Sequence, residues 1–156
     1  MAKPAADFWD GIARKYAADP IADMAGFERT LEAARAQIAG RAAFEFGCGT
    51  GTAALKLAPG AARYVASDIS TEMIAIAKEK AAAEGGSKAE FVVATPDAAP
   101  FEAGGFDAAL GFNILHLIKD RAAALAGAHR LLKPGGLLIT KTPCLKEMNP
   151  LIRLAV

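Results

Sequence analysis

The sequence predicts an α/β fold in which helices cover both faces of a doubly wound, mostly parallel sheet. A segment of strand length, 41–46, runs directly into a glycine-rich loop, 47–51, and a helical segment then begins at Thr52. Apolar segments of strand length alternate with segments of helical periodicity along the rest of the chain. This alternation predicts crossover connections, and therefore parallel strands in the order 3-2-1-4-5.

Composition and charge narrow the class of protein. The 156 residues suit one domain with a sizeable core, and 18 basic against 17 acidic residues leave a formal charge of +1. That balance gives no electrostatic footprint for nucleic acid. No apolar run reaches the roughly 18 residues of a membrane span, no signal peptide opens the sequence, and no metal-ligand cluster is evident. Two cysteines, Cys48 and Cys144, make no disulfide framework, so a reducing cytoplasm is expected.

Two helices are expected ahead of the first strand. Asp7 is placed to cap the first, and Asp19–Pro20 is a typical start for the second. Their apolar residues recur every three or four positions, as on one face of a helix. We expect 1–40 to form a helical lid or cap over a single compact domain, 41–156.

The glycine loop has the spacing Gly-x-Gly-x-Gly at Gly47, Gly49 and Gly51, and Glu45 lies near the end of the strand before it. We expect one glycine to allow a sharp turn, one to let the backbone approach a ligand, and one to let helix and strand pack closely. Thr52 stands where a dinucleotide fingerprint needs its third glycine. The loop therefore departs from the pattern of nicotinamide and flavin sites.

The second predicted strand, 62–68, ends in an acidic residue. Asp68 lies 19 positions beyond Gly49, near the roughly 20 expected of a carboxylate that binds a ribose diol. The alternative is an aspartate that only caps a helix or turn. Ser70 follows and is expected to cap the next helix, as Asp120 is expected to cap the fifth.

Three further strands are predicted, at 90–94, 106–112 and 137–140. Ligands bind at the carboxyl ends of strands in open parallel sheets, so Asn113 and His116, after the fourth strand, are expected to face the cleft. His116 is the one base-capable side chain there, and the alternative is a structural histidine.

These features, and their order along the chain, resemble those of the class I S-adenosylmethionine-dependent methyltransferases. The shared features are the acidic residue before the glycine loop, Asp68, the Phe106–Asp107 start of the fourth strand, and the Leu-Lys-Pro-Gly-Gly segment 132–136. The resemblance covers 41–142. It implies a Rossmann-like fold, S-adenosylmethionine as cofactor, S-adenosylhomocysteine as product, and in-line methyl transfer to a small-molecule acceptor.

The resemblance also implies a cofactor site. Its expected residues are Tyr16 from the lid, Glu45, Gly47, Cys48, Gly49, Gly51, Asp68, Ile69, Met73, Thr95, Pro96, Asp97 and Asn113. Cys48 is interpreted as a small residue filling a tight turn. Pro96 falls where the family offers adenine a backbone N–H, which proline lacks; we expect Thr95 or Asp97 to substitute. His116 is the expected catalytic base if the acceptor must lose a proton.

The end of the sequence departs from the family, which continues with a sixth strand and an antiparallel seventh. Residues 143–156 are too few for both, so these final strands are expected to be missing. The fifth strand then lacks a neighbour, and pairing with a second copy into a homodimer is one expected way to cover it.

Two other functions stay open on the sequence alone. One is a protein that binds S-adenosylmethionine or S-adenosylhomocysteine without turnover. The other is a nicotinamide-dependent oxidoreductase, against which the Gly51–Thr52 spacing speaks. No Asn/Asp-Pro-Pro-Tyr/Phe element follows the fourth strand, which argues against methylation of exocyclic amines on DNA.

Overall fold

The computed structural model describes residues 4–143, which form one five-stranded sheet with helices on both faces. The helices are α1 (Ala5–Ala18), α2 (Met24–Ile38), α3 (Thr52–Leu57), α4 (Thr71–Ala83) and α5 (Arg121–Leu131), and the strands are β1 (Ala42–Phe46), β2 (Arg63–Asp68), β3 (Ala89–Val93), β4 (Phe106–Phe112) and β5 (Leu132–Lys141). All neighbouring strands are parallel, in the order β3-β2-β1-β4-β5. The predicted fold class and strand order are confirmed.

The central strand β1 separates two apolar layers because successive side chains of a strand point to opposite faces. Phe44 and Phe46 belong to a buried cluster that includes Leu131 of α5. On the other face, Ala43 packs in a cluster with residues of α2, α3 and α4. Each fully buried phenylalanine stabilises the fold by about 1.5–3 kcal/mol. Glu45 shares the face of Ala43, which places a carboxyl group in an otherwise apolar layer.

Two predicted helix caps are confirmed. The backbone N–H of Met73 donates to Oγ of Ser70 at 3.0 Å, at the start of α4. The backbone N–H of Ala123 donates to Oδ1 of Asp120 at 2.9 Å, at the start of α5. Each bond satisfies one of the backbone donors that the first turn of a helix leaves unpaired.

The predicted starts of the two N-terminal helices are wrong. Helix α1 begins at Ala5, directly after a proline, and Asp7 lies inside its first turn without a capping bond. Helix α2 begins at Met24 rather than at Asp19–Pro20, and Asp23 caps it by accepting from the backbone N–H of Gly26 at 2.8 Å. Several Asx residues compete as caps in this stretch, and the sequence alone does not rank them.

Asp107 joins the starts of three strands. Its Oδ2 accepts from the backbone N–H of Ala42 at 2.8 Å, and its Oδ1 accepts from Nζ of Lys133, also at 2.8 Å. The bond from Lys133 is the largest of several influences that lower the pKa of this carboxyl. The register between β4 and β5 shifts here, from Phe106 opposite Leu132 to Ala108 opposite Leu137. The Leu-Lys-Pro-Gly-Gly segment 132–136, which lies ahead of the strand predicted at 137–140, therefore belongs to β5.

Strand β5 forms one edge of the sheet within residues 4–143, with β4 as its partner. Leu137 and Leu138 are 37% and 46% exposed. The segment 144–156, on which the expectation of missing final strands rests, lies outside the described residues. In the part of the chain that is described, no helix is both long and apolar enough to cross a membrane.

Candidate functional site

The residues of the candidate site lie in segments that follow the carboxyl ends of the strands. Because the strands are parallel, the segments that follow β1, β2, β3 and β4 emerge at one edge of the sheet. This brings the glycine loop, Asp68, Thr95 and Asn113 to the same edge although 18–27 positions separate each from the next along the chain.

Gly51 and Gly49 differ in what surrounds them, and this bears on the two tasks expected of the loop: close helix–sheet packing and approach of the backbone to a ligand. Gly51 has φ of 76°, and an added Cβ would lie 2.8 Å from Cβ of Ala77 and 2.9 Å from the ring of Phe91. Gly51 is therefore the residue that lets helix and sheet pack closely. Gly49 has φ of 55°, but the nearest heavy atom to an added Cβ is Cε1 of Tyr16, at 3.9 Å. A Cβ at Gly49 would therefore fit without overlap, in van der Waals contact with the ring of Tyr16 on α1.

Asp68 is bound to this loop by its backbone. Its Oδ2 accepts from the N–H of Gly49 and its Oδ1 from the N–H of Ser70, both at 2.9 Å. Asp68 is only 9% exposed. Burial raises the pKa of this carboxyl, against the opposing effect of the N–H groups of Ser70, Gly49 and Ile69. Each carboxylate oxygen can accept more than one hydrogen bond, so the group can still accept from a diol.

Helix α1 is anchored beside that carboxylate. Oδ1 of Asp10 accepts from Oγ of Ser70 at 2.6 Å and from the backbone N–H of Glu72 at 3.1 Å, and these bonds, Ser70 foremost, lower the pKa of Asp10. The candidate residue Met73 is buried in a small cluster with Trp9 and other residues of α1 and α4. The ring of Trp9 also lies edge-on to that of Tyr16, with centroids 6.3 Å apart. Met73 thus supports the helix that carries Tyr16.

Lys80 holds the glycine loop from behind, a role that the sequence analysis missed. Its Nζ donates to Oγ1 of Thr50 and Oγ1 of Thr52 at 2.9 Å, and to the carbonyl oxygen of Thr50 at 3.2 Å. Partial burial lowers the pKa of Lys80. The available signal was its spacing: Lys80 falls three and seven positions after the buried Ala77 and Met73, on the packed face of α4.

A second missed residue is Tyr64, whose hydroxyl donates to Oε2 of Glu45 at 2.8 Å. Both side chains are buried, Glu45 at 2% exposed. Burial raises the pKa of Glu45 from 4.5 to about 7, although the Tyr64 bond acts in the opposite direction. The signal was again positional: Tyr64 pairs with Ala43, two residues before Glu45, and so shares its face of the sheet.

Cys48 is buried in the loop, and its backbone N–H donates to the carbonyl oxygen of Ser67 at 2.9 Å. Burial and the neighbouring Glu45 and Asp68 raise the pKa of its thiol. The thiolate is the nucleophilic form of cysteine, so this environment disfavours nucleophilic chemistry at Cys48.

The segment after β4 contributes Asn113 and His116. Asn113 has φ of 54°, and its backbone N–H donates to the carbonyl oxygen of Lys141 at 2.7 Å. The side chain of Ile114 occupies the space that a Cβ on Gly47 would need, which brings this segment against the glycine loop. Nδ1 of His116 is buried and has no hydrogen-bond partner among residues 4–143. Burial lowers the pKa of this imidazole, which favours its neutral form.

The segment after β3 holds the expected adenine contacts. Pro96 is buried, Thr95 is half-buried and Asp97 is exposed. Gly127 of α5 packs directly on the backbone of Pro96 and Asp97, where any Cβ would overlap both residues. Gly127 is a further residue that the sequence analysis missed, because nothing in its local sequence indicates so close an approach. Across the described range, no three His, Cys, Asp or Glu residues are grouped to hold a metal ion.

This fold and this site define an α/β protein whose glycine loop and strand-end carboxylate suit a nucleoside-containing ligand. A family described as "Methyltransferase domain" matches residues 43–136. The chain belongs to this family, the class I S-adenosylmethionine-dependent methyltransferases.

Relatives with assigned names agree with the family. The chain is 34% identical over 105 residues to a demethylmenaquinone methyltransferase of Clavibacter sepedonicus, covering 67% of this chain and 42% of that protein. It is 31% identical over 109 residues to a ubiquinone biosynthesis O-methyltransferase of Xanthomonas axonopodis pv. citri (strain 306), covering 70% and 46%. The chain thus spans less than half the length of these curated relatives.

A solved structure agrees in fold. The crystal structure of the PH0226 protein from Pyrococcus horikoshii OT3 matches with a TM-score of 0.75 at 25% identity, over 91% of this chain and 70% of that one.

Proposed function

We propose that this chain binds S-adenosylmethionine at the edge described above and transfers its methyl group to a small-molecule acceptor, leaving S-adenosylhomocysteine. The observation that carries the proposal is the joined pair of Gly49 and Asp68. The backbone of Gly49 has no side chain between it and the ring of Tyr16, and it is bonded to a strand-end carboxylate. These features fit a ligand that has both a ribose and an extended amino-acid end.

Each part of the site has a proposed task. Asp68 accepts hydrogen bonds from the ribose hydroxyls, and the backbone at Gly49 adjoins the amino-acid end. Glu45 faces the amino group, and the segment 95–97 adjoins adenine. Tyr16 covers the bound ligand as part of a lid formed by α1. When bound, the cofactor supplies a methyl group that its sulfonium already activates, so the protein mainly aligns the acceptor.

His116 is the proposed general base for an acceptor that must lose a proton. Its imidazole is half-buried at the carboxyl end of β4, and its buried Nδ1 has no partner among residues 4–143. The neutral form, which burial favours, is the form that accepts a proton. One curated relative is named a demethylmenaquinone methyltransferase and the other a ubiquinone biosynthesis O-methyltransferase. A small molecule with an ionisable hydroxyl is therefore the acceptor class that we propose.

Two experiments test the proposal. Calorimetry with S-adenosylhomocysteine and with NAD, at equal concentrations, separates a methyltransferase site from that of an oxidoreductase; we expect binding of the first alone. Incubation with methyl-labelled cofactor and a pool of small hydroxyl-bearing metabolites then tests turnover. Binding without labelled product would favour a non-catalytic binding protein. Preferential binding of NAD would overturn the proposal.

Within residues 4–143, β5 has a partner strand on one side only, and this bears on the state of assembly. An edge strand offers unpaired backbone groups, and Leu137 and Leu138 add exposed apolar surface. We propose that pairing of this edge with a second copy forms a homodimer. Sedimentation of the 156-residue chain tests this, and a clean monomer that binds no exposed-surface dye would contradict it.

A further inference from the structure

The carboxyl group of Glu45 is the most enclosed acidic group at the site. Glu45 is 2% exposed and lies in the central strand, two residues before the glycine loop begins. Within residues 4–143, its carboxyl accepts a single side-chain hydrogen bond, from the hydroxyl of Tyr64 at 2.8 Å. Tyr64 is itself 1% exposed and lies on the adjacent strand. A buried carboxylate needs several partners to offset the loss of hydration, and one donor is not enough.

The titratable groups near this carboxyl do not supply the missing positive charge. Asp68 on β2 and the thiol of Cys48 in the loop each interact electrostatically with Glu45, and neither carries a positive charge. Tyr64 is the remaining neighbour and is neutral. Lys80 contacts the loop, but its Nζ already donates three hydrogen bonds to Thr50 and Thr52. The surroundings therefore favour the protonated carboxyl until a cation arrives.

We propose that Tyr64 is a positioning residue that holds Glu45 for the amino group of the cofactor, and that this pairing makes cofactor binding release a proton near neutral pH. The inference rests on the proposed function, since it requires a ligand that brings an ammonium group. When the ligand binds, the O–H bond of the Glu45 carboxyl breaks and its proton passes to the buffer. The ammonium N–H of the ligand then donates to the carboxylate oxygen. The Tyr64 hydroxyl continues to donate to the other oxygen.

The expected number of protons released per bound ligand follows from the protonation state of Glu45. Because its pKa is raised to about 7, roughly half of the empty protein carries the proton at pH 7, and about half a proton should be released per bound ligand. The release should approach a full proton near pH 6 and fall toward zero by about pH 8.5. Affinity should rise with pH over the same range.

Calorimetric titration in two buffers of different ionisation enthalpy measures the released proton directly, without turnover. S-adenosylhomocysteine is the probe, and 5′-methylthioadenosine, which lacks the amino-acid end, is the control ligand. Any proton linkage of Asp68 through the ribose is common to both ligands, so their difference isolates Glu45. We expect release with the first and markedly less with the second. Equal release with both would overturn the inference.

Two variants test whether Glu45 and Tyr64 are responsible for the proton release. Glu45→Gln should bind more weakly and lose the difference between the two ligands. Tyr64→Phe keeps the ring but removes the hydroxyl, so it should lower affinity at pH 7 about tenfold and shift the proton release to higher pH, with affinity partly recovered there. A purely structural tyrosine would lower affinity equally at every pH, and that result would overturn the role of Tyr64.

The outcomes also separate this inference from the proposed function. Binding of S-adenosylhomocysteine without proton release would refute the Tyr64–Glu45 coupling and leave the cofactor site standing. No binding of S-adenosylhomocysteine at any pH between 6 and 8.5 would refute both.

Discussion

The backbone N–H of Gly49 donates to Oδ2 of Asp68 at 2.9 Å, across 19 positions of sequence. This hydrogen bond joins the glycine loop directly to the strand-end carboxylate. Preformed sites lose less conformational entropy on binding, which favours affinity. The same bond means that Asp68 both shapes the loop and offers its carboxylate to a ligand.

We expect Asp68→Ala to weaken binding of S-adenosylhomocysteine by about 1.5–3 kcal/mol, the usual size of hydrogen bonds to a charged group. Calorimetry gives the affinity, and thermal unfolding gives the stability. Because Asp68 also accepts from Gly49 and Ser70, part of any loss could come from a displaced loop. Asp68→Asn, which keeps one acceptor oxygen, should lose less stability but still bind weakly. Unchanged binding in a folded variant would refute the ribose assignment.

Gly49→Val should abolish cofactor binding, because its side chain would fill the space between the loop and the ring of Tyr16. Gly104→Val is the matched control: Gly104 also has positive φ, 69° against 55°, and open space around it, but lies in the turn before β4. Both variants should lose stability through backbone strain. If both weaken binding to the same degree, strain rather than occlusion explains the loss, and the loop does not line the pocket.

Lys80→Met should loosen the glycine loop and weaken cofactor binding several-fold, with a loss of stability of about 1–2 kcal/mol for its hydrogen bonds. Lys78→Met, at an exposed position of the same helix, controls for the lost charge. Calorimetry and denaturant unfolding of both variants give the comparison. Equal binding by the two variants would show that Lys80 does not hold the loop in its binding conformation.

Glu45 predicts an unusual dependence of stability on pH. Its pKa is raised from 4.5 to about 7 in the folded chain, so the folded state binds more protons than the unfolded state between these values. The free energy of unfolding therefore falls as pH rises through this window, by about 3 kcal/mol for this group. Glu45→Gln should remove that fall and be more stable than the wild type at pH 8. Parallel pH profiles of unfolding for the two proteins would contradict the prediction.

His116→Asn should lower turnover about 10²–10⁴-fold at saturating cofactor if His116 is the general base. Burial lowers the pKa of this imidazole below 6.5, so the wild-type rate should rise with pH through that lower value and then level off. The variant should lack this rise. Saturating cofactor removes the contribution of Glu45 to the pH profile. A variant that instead loses stability and cofactor affinity together would identify His116 as structural.

The sequence predicted the features that depend on local chemistry and periodicity. Gly49 and Asp68 were both predicted as site residues from their spacing, and the structure joins them by a direct hydrogen bond. The caps at Ser70 and Asp120 follow from residue type alone. Each of these signals lies within one helix or strand, or within the single strand-loop-helix-strand segment from β1 to β2.

The missed residues depend on contacts between elements distant in sequence. Lys80 reaches the loop across 28–30 positions, and Tyr64 reaches Glu45 across 19. Gly127 approaches Pro96 and Asp97 from another layer. Position can place Lys80 and Tyr64 on packed faces, but it does not identify their partners, because lysine, tyrosine and glycine are common in helices and strands for other reasons. Their roles appear only once the strand register and helix positions are known.

The strand order also has a consequence for how the protein is made. The strands β1, β2 and β3, with the glycine loop and Asp68, come from one continuous stretch, 42–93, whereas β4 pairs with β1 only after residue 106 is synthesised. A chain leaves the ribosome from its N-terminus, so the residues that form β1, β2 and β3, with the glycine loop and Asp68, emerge before Asn113 and His116. Until β4 pairs with β1, that edge of β1 has unpaired backbone N–H and C=O groups, which can pair wrongly with another strand.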